Sequence, residues 1–192
     1  MNLYKADQPP MNTTFEHIPY PDGNPVHEVG LDMTKTAKGP LTLSAEGIMN
    51  ATLVAVLARM KTGEPYGYLA YHHPDNLAEG SIWLKNVLKS MKDGGIVPTA
   101  GVVLTPDTNK NPFHRNTGAP KYDLAKTLLE ILQSEGEAPS AALHTYRVRP
   151  GSPRGLRLGV MLGERGSAIT LARRTILKPR EVLARGQNAP TY

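Results

Sequence analysis

Cysteine is absent from this 192-residue sequence, which excludes disulfide bonds and thiolate metal sites. None of the six histidines has the His-x₃-His or His-Glu-x-x-His spacing of a zinc site, so we expect neither a metal nor a cofactor. One tryptophan and two phenylalanines leave few rings for stacking on bases, so nucleic acid is not an expected partner. No apolar run reaches the roughly 18 residues of a membrane span, and residues 1–7 lack the apolar core of a signal peptide.

Glycine and proline, at 18 and 17 residues, are both frequent, which favours a loop-rich or β-rich fold over a helix bundle. They are dense in residues 1–38, where we expect an extended N-terminal arm. After the arm, we expect a catalytic domain over residues 39–178 and a basic tail over residues 179–192. The net charge of +5 and the late cluster of arginines indicate either a docking face for an acidic partner or solvated strand faces and tail.

Two amphipathic helices are predicted at 78–92 and 122–134 from apolar residues at helical spacing. The apolar stripe of the first helix consists of Leu84, Val87, Leu88 and Met91. Strands bounded by Gly, Pro or charged turns are predicted at 26–31, 48–60, 66–71, 96–104, 142–148, 156–162 and 168–175.

The apolar run at 48–60 has a periodicity that fits either a buried strand or a helix. The turn at 61–65, which leads at once into a second strand-like segment, favours a β-hairpin, and a helix over 46–60 is the alternative. The order of elements predicts an α+β fold, in which a β-sheet, single or as a two-layered sandwich, carries two outer amphipathic helices. The last three strands are expected to form an antiparallel meander.

A candidate reaction centre lies at the two ends of the expected hairpin. Ala45 belongs to a turn that enters the first long strand, and His72 ends the strand that pairs with it. A hairpin brings such positions face to face, and a thiol hydrolase needs a nucleophile at one and a general base at the other. Backbone amides of Glu46 and Gly47 would then hold the oxyanion.

The segments Leu-Thr-Leu-Ser-Ala-Glu-Gly and Gly-Tyr-Leu-Ala-Tyr-His-His-Pro, followed by a helix and a strand, resemble the chemoreceptor glutamine deamidases. They are similar too to the catalytic domain of cytotoxic necrotizing factor, and the similarity covers residues 39–106. In that superfamily a cysteine follows a small residue at a strand start, and a histidine follows on the next strand. The resemblance therefore implies that Ala45 stands at the nucleophile's position and His72 at that of the base.

Alanine cannot attack a carbonyl, so the resemblance implies one of two situations. Either an inactivating Cys→Ala substitution stands at position 45, or the protein is a naturally inactive relative. Asp107 and Thr42 are the candidate groups to orient the imidazole. His73 is a rival to His72, because a shift of one residue exchanges the two faces of a strand. A plain hydrogen-bonded strand end is the structural alternative for both histidines.

The implied function is a protein glutamine or asparagine deamidase that uses a Cys–His mechanism and acts on a protein substrate. It would be a bacterial effector or toxin, located in the bacterial cytoplasm or secreted into a host cell without a classical signal peptide. A non-catalytic protein-binding module on the same fold is the alternative. The sequence predicts no oligomeric state.

Overall fold

Two five-stranded sheets and two helices make up the part of the chain that the computed structural model describes. The described residues are 25–73, 76–106, 121–138, 140–146, 156–163, 166–171 and 174–177. The predicted α+β class is confirmed, and the sheet is two-layered. Among these residues, no helix combines the length and apolarity that crossing a membrane requires.

The elements run along the chain in the order β-strands, helix, strand, helix, strands. The first five strands are β1 (Val26–Glu28), β2 (Met33–Lys38), β3 (Leu41–Ile48), β4 (Thr52–Arg59) and β5 (Pro65–His72). There follow α1 (Leu77–Asp93), β6 (Val97–Pro106), α2 (Lys121–Ser134), β7 (Ala142–Tyr146), β8 (Leu156–Leu162), β9 (Ala168–Leu171) and β10 (Arg174–Leu177). Sheet A has the strand order β1-β3-β8-β9-β10, and sheet B has the order β2-β5-β4-β6-β7.

The hairpin of β4 and β5 confirms strand–turn–strand over the ambiguous apolar run. The two strands pair antiparallel from Arg59 opposite Pro65 to Thr52 opposite His72, and Gly63 supplies the positive φ of the turn. Strand β4 is buried on both faces, which explains its continuous apolar sequence. The helix alternative for 46–60 is therefore wrong.

Two apolar layers flank sheet B. The inter-sheet layer lies between the sheets and includes Leu43, Ala45, Leu53, Leu69, Tyr146 and Leu158. The helix-side layer lies between sheet B and the helices and includes Val54, Tyr68, Ala70, Leu84, Leu128 and Leu132. Alternating residues of β4 and β5 enter opposite layers, as the pleat of a strand requires. Both predicted helices are confirmed, and both pack on the outer face of sheet B.

Strand β3 corrects the expected start of the hairpin. Residues 41–48 do not turn into β4; they form a strand of sheet A that pairs with β1 and β8. A bulge between Ala45 and Ile48, with Gly47 at φ +67°, disturbs the end of this strand. The chain then bends at 49–50 and crosses to sheet B.

Two other expectations are refined by the pairing of strands. Strand β7 pairs parallel with β6 in sheet B, so it does not belong to the expected meander, whereas β8, β9 and β10 are antiparallel neighbours in sheet A. Residues 25–38, assigned to the arm from sequence, include β1 and β2, which are the edge strands of the two sheets. Residues 1–24 and the tail at 179–192 lie outside the described residues.

Candidate functional site

Three polar side chains lie side by side at one end of sheet B, and we call them the polar row: His72, Thr52 and Thr105. His72 ends β5 directly opposite Thr52, the first residue of β4. On the other side of β4, the hydroxyl oxygens of Thr52 and Thr105 are 3.0 Å apart. All three side chains are buried, with exposed fractions of 0%, 1% and 1%.

The polar row faces the helices because of strand alternation. Leu53 and Tyr71 enter the inter-sheet layer, so their neighbours Thr52 and His72 point to the opposite side of sheet B. There His72 meets Trp83 of α1, with ring centroids 5.2 Å apart and planes tilted by 47°. Cross-strand neighbours on one face have Cβ atoms about 5 Å apart, so the imidazole lies next to Thr52, although no hydrogen bond joins its nitrogens to the Thr52 hydroxyl.

Gly80 allows helix α1 to lie directly against the imidazole. A Cβ atom at this position would stand 3.0 Å from Cδ2 and 3.1 Å from Nε2 of His72. Any other residue would require the ring or the helix to shift by a few tenths of an ångström, since few real Cβ atoms approach so closely. The glycine therefore brings the first turns of α1 over the row as a cover.

The imidazole of His72 is buried without a hydrogen-bond partner on either ring nitrogen. Burial lowers the pKa of His72, and the nearby charge of Asp32 opposes that shift. The ring is therefore neutral near pH 7 and has a nitrogen lone pair able to accept a proton. An unpaired buried polar group is rare in proteins, and each one requires an explanation.

Asp32 lies beside His72, at the turn that precedes β2. It has a positive φ of 57°, which aspartate tolerates better than most residues. Its amide donates to the carbonyl of Tyr71 at 2.6 Å, and its Oδ1 accepts from the amide of His73 at 2.8 Å. These contacts hold a carboxylate at the end of β5, where its charge favours a protonated imidazole.

The two adjacent histidines are separated by the structure. His72 is the last residue of β5 and belongs to the polar row, whereas His73 is half-buried beyond the strand end. The contact that ties His73 to the site is its backbone amide, which donates to Asp32. Of the two histidines, His72 is the one whose side chain lies in the polar row.

Ala45 is not brought together with His72, which corrects the expected pairing across one hairpin. Ala45 lies in β3 of sheet A, opposite Leu158, and its methyl group is fully buried in the inter-sheet layer. His72 points out of the other side of sheet B, toward α1. Strand β5 and its neighbours thus lie between position 45 and the imidazole.

The other residues expected at the site are also elsewhere. Thr42 is fully buried on the face of β3 opposite Ala45, where its hydroxyl has no hydrogen-bond partner, so it cannot orient the imidazole. Asp107 lies outside the described residues. Glu46 and Gly47 form the bulge of β3 in sheet A, and Glu46 makes an ion pair with Arg157 on β8.

Thr52, Thr105 and Asp32 were missed by sequence reasoning, although a signal for the first was present. The turn at 61–65 and a regular two-stranded register place residue 52 opposite residue 72. Thr105 and Asp32 depend on contacts that no local pattern encodes. Among the described residues, no group of three or more His, Asp or Glu side chains is arranged to hold a metal ion.

Comparisons with known proteins do not support the superfamily expected from sequence. No family model and no curated protein matches the chain. Among solved structures, the chain is similar to the crystal structure of Neisseria meningitidis protein NMB0706, of family-model DUF152, with a TM-score of 0.39 and 13% identity. The match covers 65% of this chain and 64% of that chain, a likeness too slight to carry any argument about function. Membership of the glutamine deamidase superfamily was a wrong expectation: no family model and no curated protein of that superfamily matches the chain, and Ala45 and His72, on which the resemblance rested, lie in different sheets.

Proposed function

We propose that this protein is a hydrolase of carboxamides in which His72 is the general base and Thr52 is the nucleophile. The observation that carries the proposal is the buried imidazole with two unpaired nitrogens, directly opposite a buried hydroxyl. A hydroxyl is a weak nucleophile by itself and becomes effective when an adjacent base takes its proton. The proposal keeps the reaction class expected from sequence and moves its centre from position 45 to position 52.

The reaction has two stages. The hydroxyl oxygen of Thr52 attacks the carboxamide carbon while its proton passes to His72, and the resulting tetrahedral intermediate expels ammonia, which takes the proton from the imidazolium. Water, deprotonated by His72, then hydrolyses the ester on Thr52, which releases a carboxylic acid and restores the hydroxyl. No metal or cofactor takes part in these steps.

The neighbours of the pair have supporting roles. Thr105 shares a hydrogen bond with Thr52 and, as donor, leaves the Thr52 proton free to pass to His72. Asp32 stabilises the imidazolium that forms during attack, because its charge raises the pKa of His72 against the effect of burial. Thr52, His72 and Asp32 would thus serve as nucleophile, base and charge-stabilising carboxylate.

Access to the row requires movement of the first turn of α1. The helix begins after Asn76, whose side chain makes no capping hydrogen bond, and it carries Gly80 in its interior. A missing cap and an interior glycine each weaken a helix by roughly 1 kcal/mol. The missing cap and Gly80 therefore lower the free-energy cost of opening the turn that covers His72.

The substrate favoured by this geometry is a slender group that enters at the strand ends. Thr52 begins its strand and His72 ends its own, so a reacting group would enter at one end of sheet B. The side-chain carboxamide of a protein glutamine or asparagine, the substrate expected from sequence, has this shape. Hydrolysis would convert it to glutamate or aspartate.

The test is covalent labelling by a small fluorophosphonate, which phosphorylates an activated hydroxyl with loss of fluoride. Wild-type protein is incubated with the probe at pH 7.5, and the modified residue is mapped by mass spectrometry. We expect modification at Thr52, loss of labelling in Thr52→Val, which keeps the side-chain shape, and loss in His72→Gln. Ammonia release from glutamine-containing and asparagine-containing proteins is measured in parallel.

Thr42→Val is the matched control, because Thr42, like Thr52, is a fully buried threonine, but it lies in sheet A away from His72. It should label at the wild-type rate. Labelling that persists in Thr52→Val, or that is lost equally in Thr42→Val, would sink the proposal.

A second candidate, the protein-binding module, is favoured by apolar side chains exposed next to the site. Leu31 and Met33, which flank Asp32, have exposed fractions of 48% and 55%. Exposed apolar groups of this kind are typical of contact surfaces when they cluster. The variant Thr52→Val distinguishes the two candidate functions. It should abolish catalysis, and it should leave a binding surface at Leu31 and Met33 unchanged.

A further inference from the structure

The backbone of Ala51 is held at both of its polar atoms by one side chain. The hydroxyl of Tyr146 donates to the carbonyl oxygen of Ala51 at 2.8 Å and accepts from its amide at 2.9 Å. Tyr146 lies at the end of β7, 95 residues away in the sequence. Both residues are buried, with exposed fractions of 1% and 2%.

Ala51 needs this partner because it lies outside the ladder of sheet B. Pairing of β4 begins at Thr52 with β5 and at Leu53 with β6, so among the described residues no neighbouring strand satisfies either polar atom of Ala51. A buried amide or carbonyl without a partner costs roughly 1–3 kcal/mol. The phenol satisfies both atoms at once, and burial raises its pKa, so it keeps the proton that it donates.

The two hydrogen bonds between Tyr146 and Ala51, which we call the clamp, span the strand that carries Thr105. Sheet B has β6 between β4 and β7, and Tyr146 lies opposite Pro106, the residue after Thr105. The ring of Tyr146 enters the inter-sheet layer, and its hydroxyl meets the residue before Thr52. The Tyr146 hydroxyl therefore ties the end of β7, which pairs with the end of β6, to the residue before Thr52.

We propose that Tyr146 is a positioning residue for Thr52: by clamping Ala51, it holds the Thr52 hydroxyl opposite His72 and against Thr105. The role rests on the proposed function, in which Thr52 is the nucleophile. Without the clamp, the chain before β4 can shift while the rest of the hairpin stays paired. A displacement of about 1 Å at a reacting group can reduce a rate by about 100-fold.

The first experiment is amide hydrogen exchange followed by NMR on the wild-type protein. We expect the Ala51 amide to be as protected as those in the middle of β4, such as Val56, although it lies outside the ladder. In Tyr146→Phe we expect Ala51 to exchange about 100-fold faster while Val56 changes far less. Rapid exchange of Ala51 in the wild type would overturn the clamp, even if Tyr146→Phe proved too unstable to study.

The second experiment is the kinetics of fluorophosphonate labelling at Thr52. In Tyr146→Phe, we expect the rate constant at saturating probe to fall at least about tenfold while the half-saturation concentration and the pH midpoint stay unchanged. Tyr68→Phe is the matched control, since Tyr68 is equally buried and its hydroxyl makes no hydrogen bond.

The outcomes of the labelling experiment are distinct. If wild-type Thr52 is labelled and Tyr146→Phe labels at the same rate, the positioning role is wrong and the proposed function stands. If wild-type Thr52 is not labelled, both the proposed function and the positioning role fail.

Discussion

The polar groups in the two buried layers on either side of sheet B differ in their hydrogen bonding. In the inter-sheet layer, the Tyr146 hydroxyl makes two short hydrogen bonds to Ala51, and the Tyr71 hydroxyl lies 3.4 Å from the carbonyl of Gly47. In the helix-side layer, the Tyr68 hydroxyl and both nitrogens of His72 have no partner. The tyrosine hydroxyls of the first layer bind backbone, whereas in the second layer Thr52 and Thr105 pair with each other and the Tyr68 hydroxyl and the His72 imidazole are left unpaired.

This contrast explains where chemistry can occur in the fold. A satisfied group is already committed to a structural hydrogen bond and gains little by meeting a substrate. An unsatisfied imidazole gains a hydrogen bond when a hydroxyl or carboxamide reaches it. The helix-side layer is also covered by an uncapped helix end, so it can open without separating the two sheets. Position 45 has neither an unpaired polar group nor a cover that can open without separating the sheets.

The largest expected effect compares a thiol placed in each layer. Because the chain has no cysteine, Thr52→Cys and Ala45→Cys each introduce a single thiol. The imidazole should lower the thiol pKa at position 52, and burial should raise it at position 45, which gives at least about a 100-fold difference in thiolate at pH 7. Thiolate absorbance at 240 nm measures this without requiring access by a reagent.

The control for that comparison is the double variant Thr52→Cys, His72→Gln, which should lose the thiolate at neutral pH. Equal titration of the two single thiols would show that His72 does not distinguish position 52 from position 45.

A smaller effect is expected at the contact between α1 and His72. Gly80→Ala normally stabilises a helix, but here the new methyl group would stand 3.0 Å from the imidazole. We expect a net loss of about 1–3 kcal/mol in the free energy of unfolding, measured by urea titration. In a His72→Ala background the same change should become stabilising, and an additive result would contradict the contact.

The pH dependence of stability should also report on the buried histidines. Burial lowers the pKa of His72 and of His144, so the unfolded chain takes up protons before the folded chain does. The free energy of unfolding should therefore fall as the pH drops below about 6.5, the ordinary histidine value. Thermal melts from pH 8 to pH 5 check this, and His72→Gln should flatten part of the slope.

The smallest effect is expected for Tyr68→Phe. Removal of a buried hydroxyl that has no partner leaves nothing unsatisfied, so the free energy of unfolding should change by less than about 0.5 kcal/mol or rise. Tyr146→Phe, in contrast, should cost about 1–3 kcal/mol because it orphans both polar atoms of Ala51. Urea titrations of the two variants give the comparison directly, and equal losses would contradict the difference between the layers.

Much of the fold could be predicted from the sequence because its elements have strong local signals. The stripe of Leu84, Leu88 and Met91 predicts α1, and the turn at 61–65 predicts the hairpin. Strand β3 was misread because its sequence runs close to β4, and only long-range pairing with β8 assigns it to another sheet. The parallel pairing of β7 with β6 is likewise encoded by contacts far apart in the chain.

Part of the candidate site could be predicted from the sequence, and the rest could not because it depends on long-range contacts. His72 was identified correctly as the histidine that ends β5, although its catalytic role remains a prediction. Its expected partner was sought by resemblance at position 45, whereas the hairpin register places Thr52 opposite it. Asp32 reaches the row through a turn with positive φ, and no local pattern links it to His72.

The position of Thr52 beside His72 is tested most directly by an NMR measurement of which side chain lies against the His72 ring in solution. A ¹³C-edited NOESY spectrum can resolve the Thr52 γ-methyl and the Ala45 β-methyl groups. If Thr52 and not Ala45 is the neighbour of His72, we expect cross-peaks from the His72 ring protons to the Thr52 methyl and to the Trp83 indole, and none to Ala45. A cross-peak between His72 and Ala45, with none to Thr52, would contradict this position of Thr52.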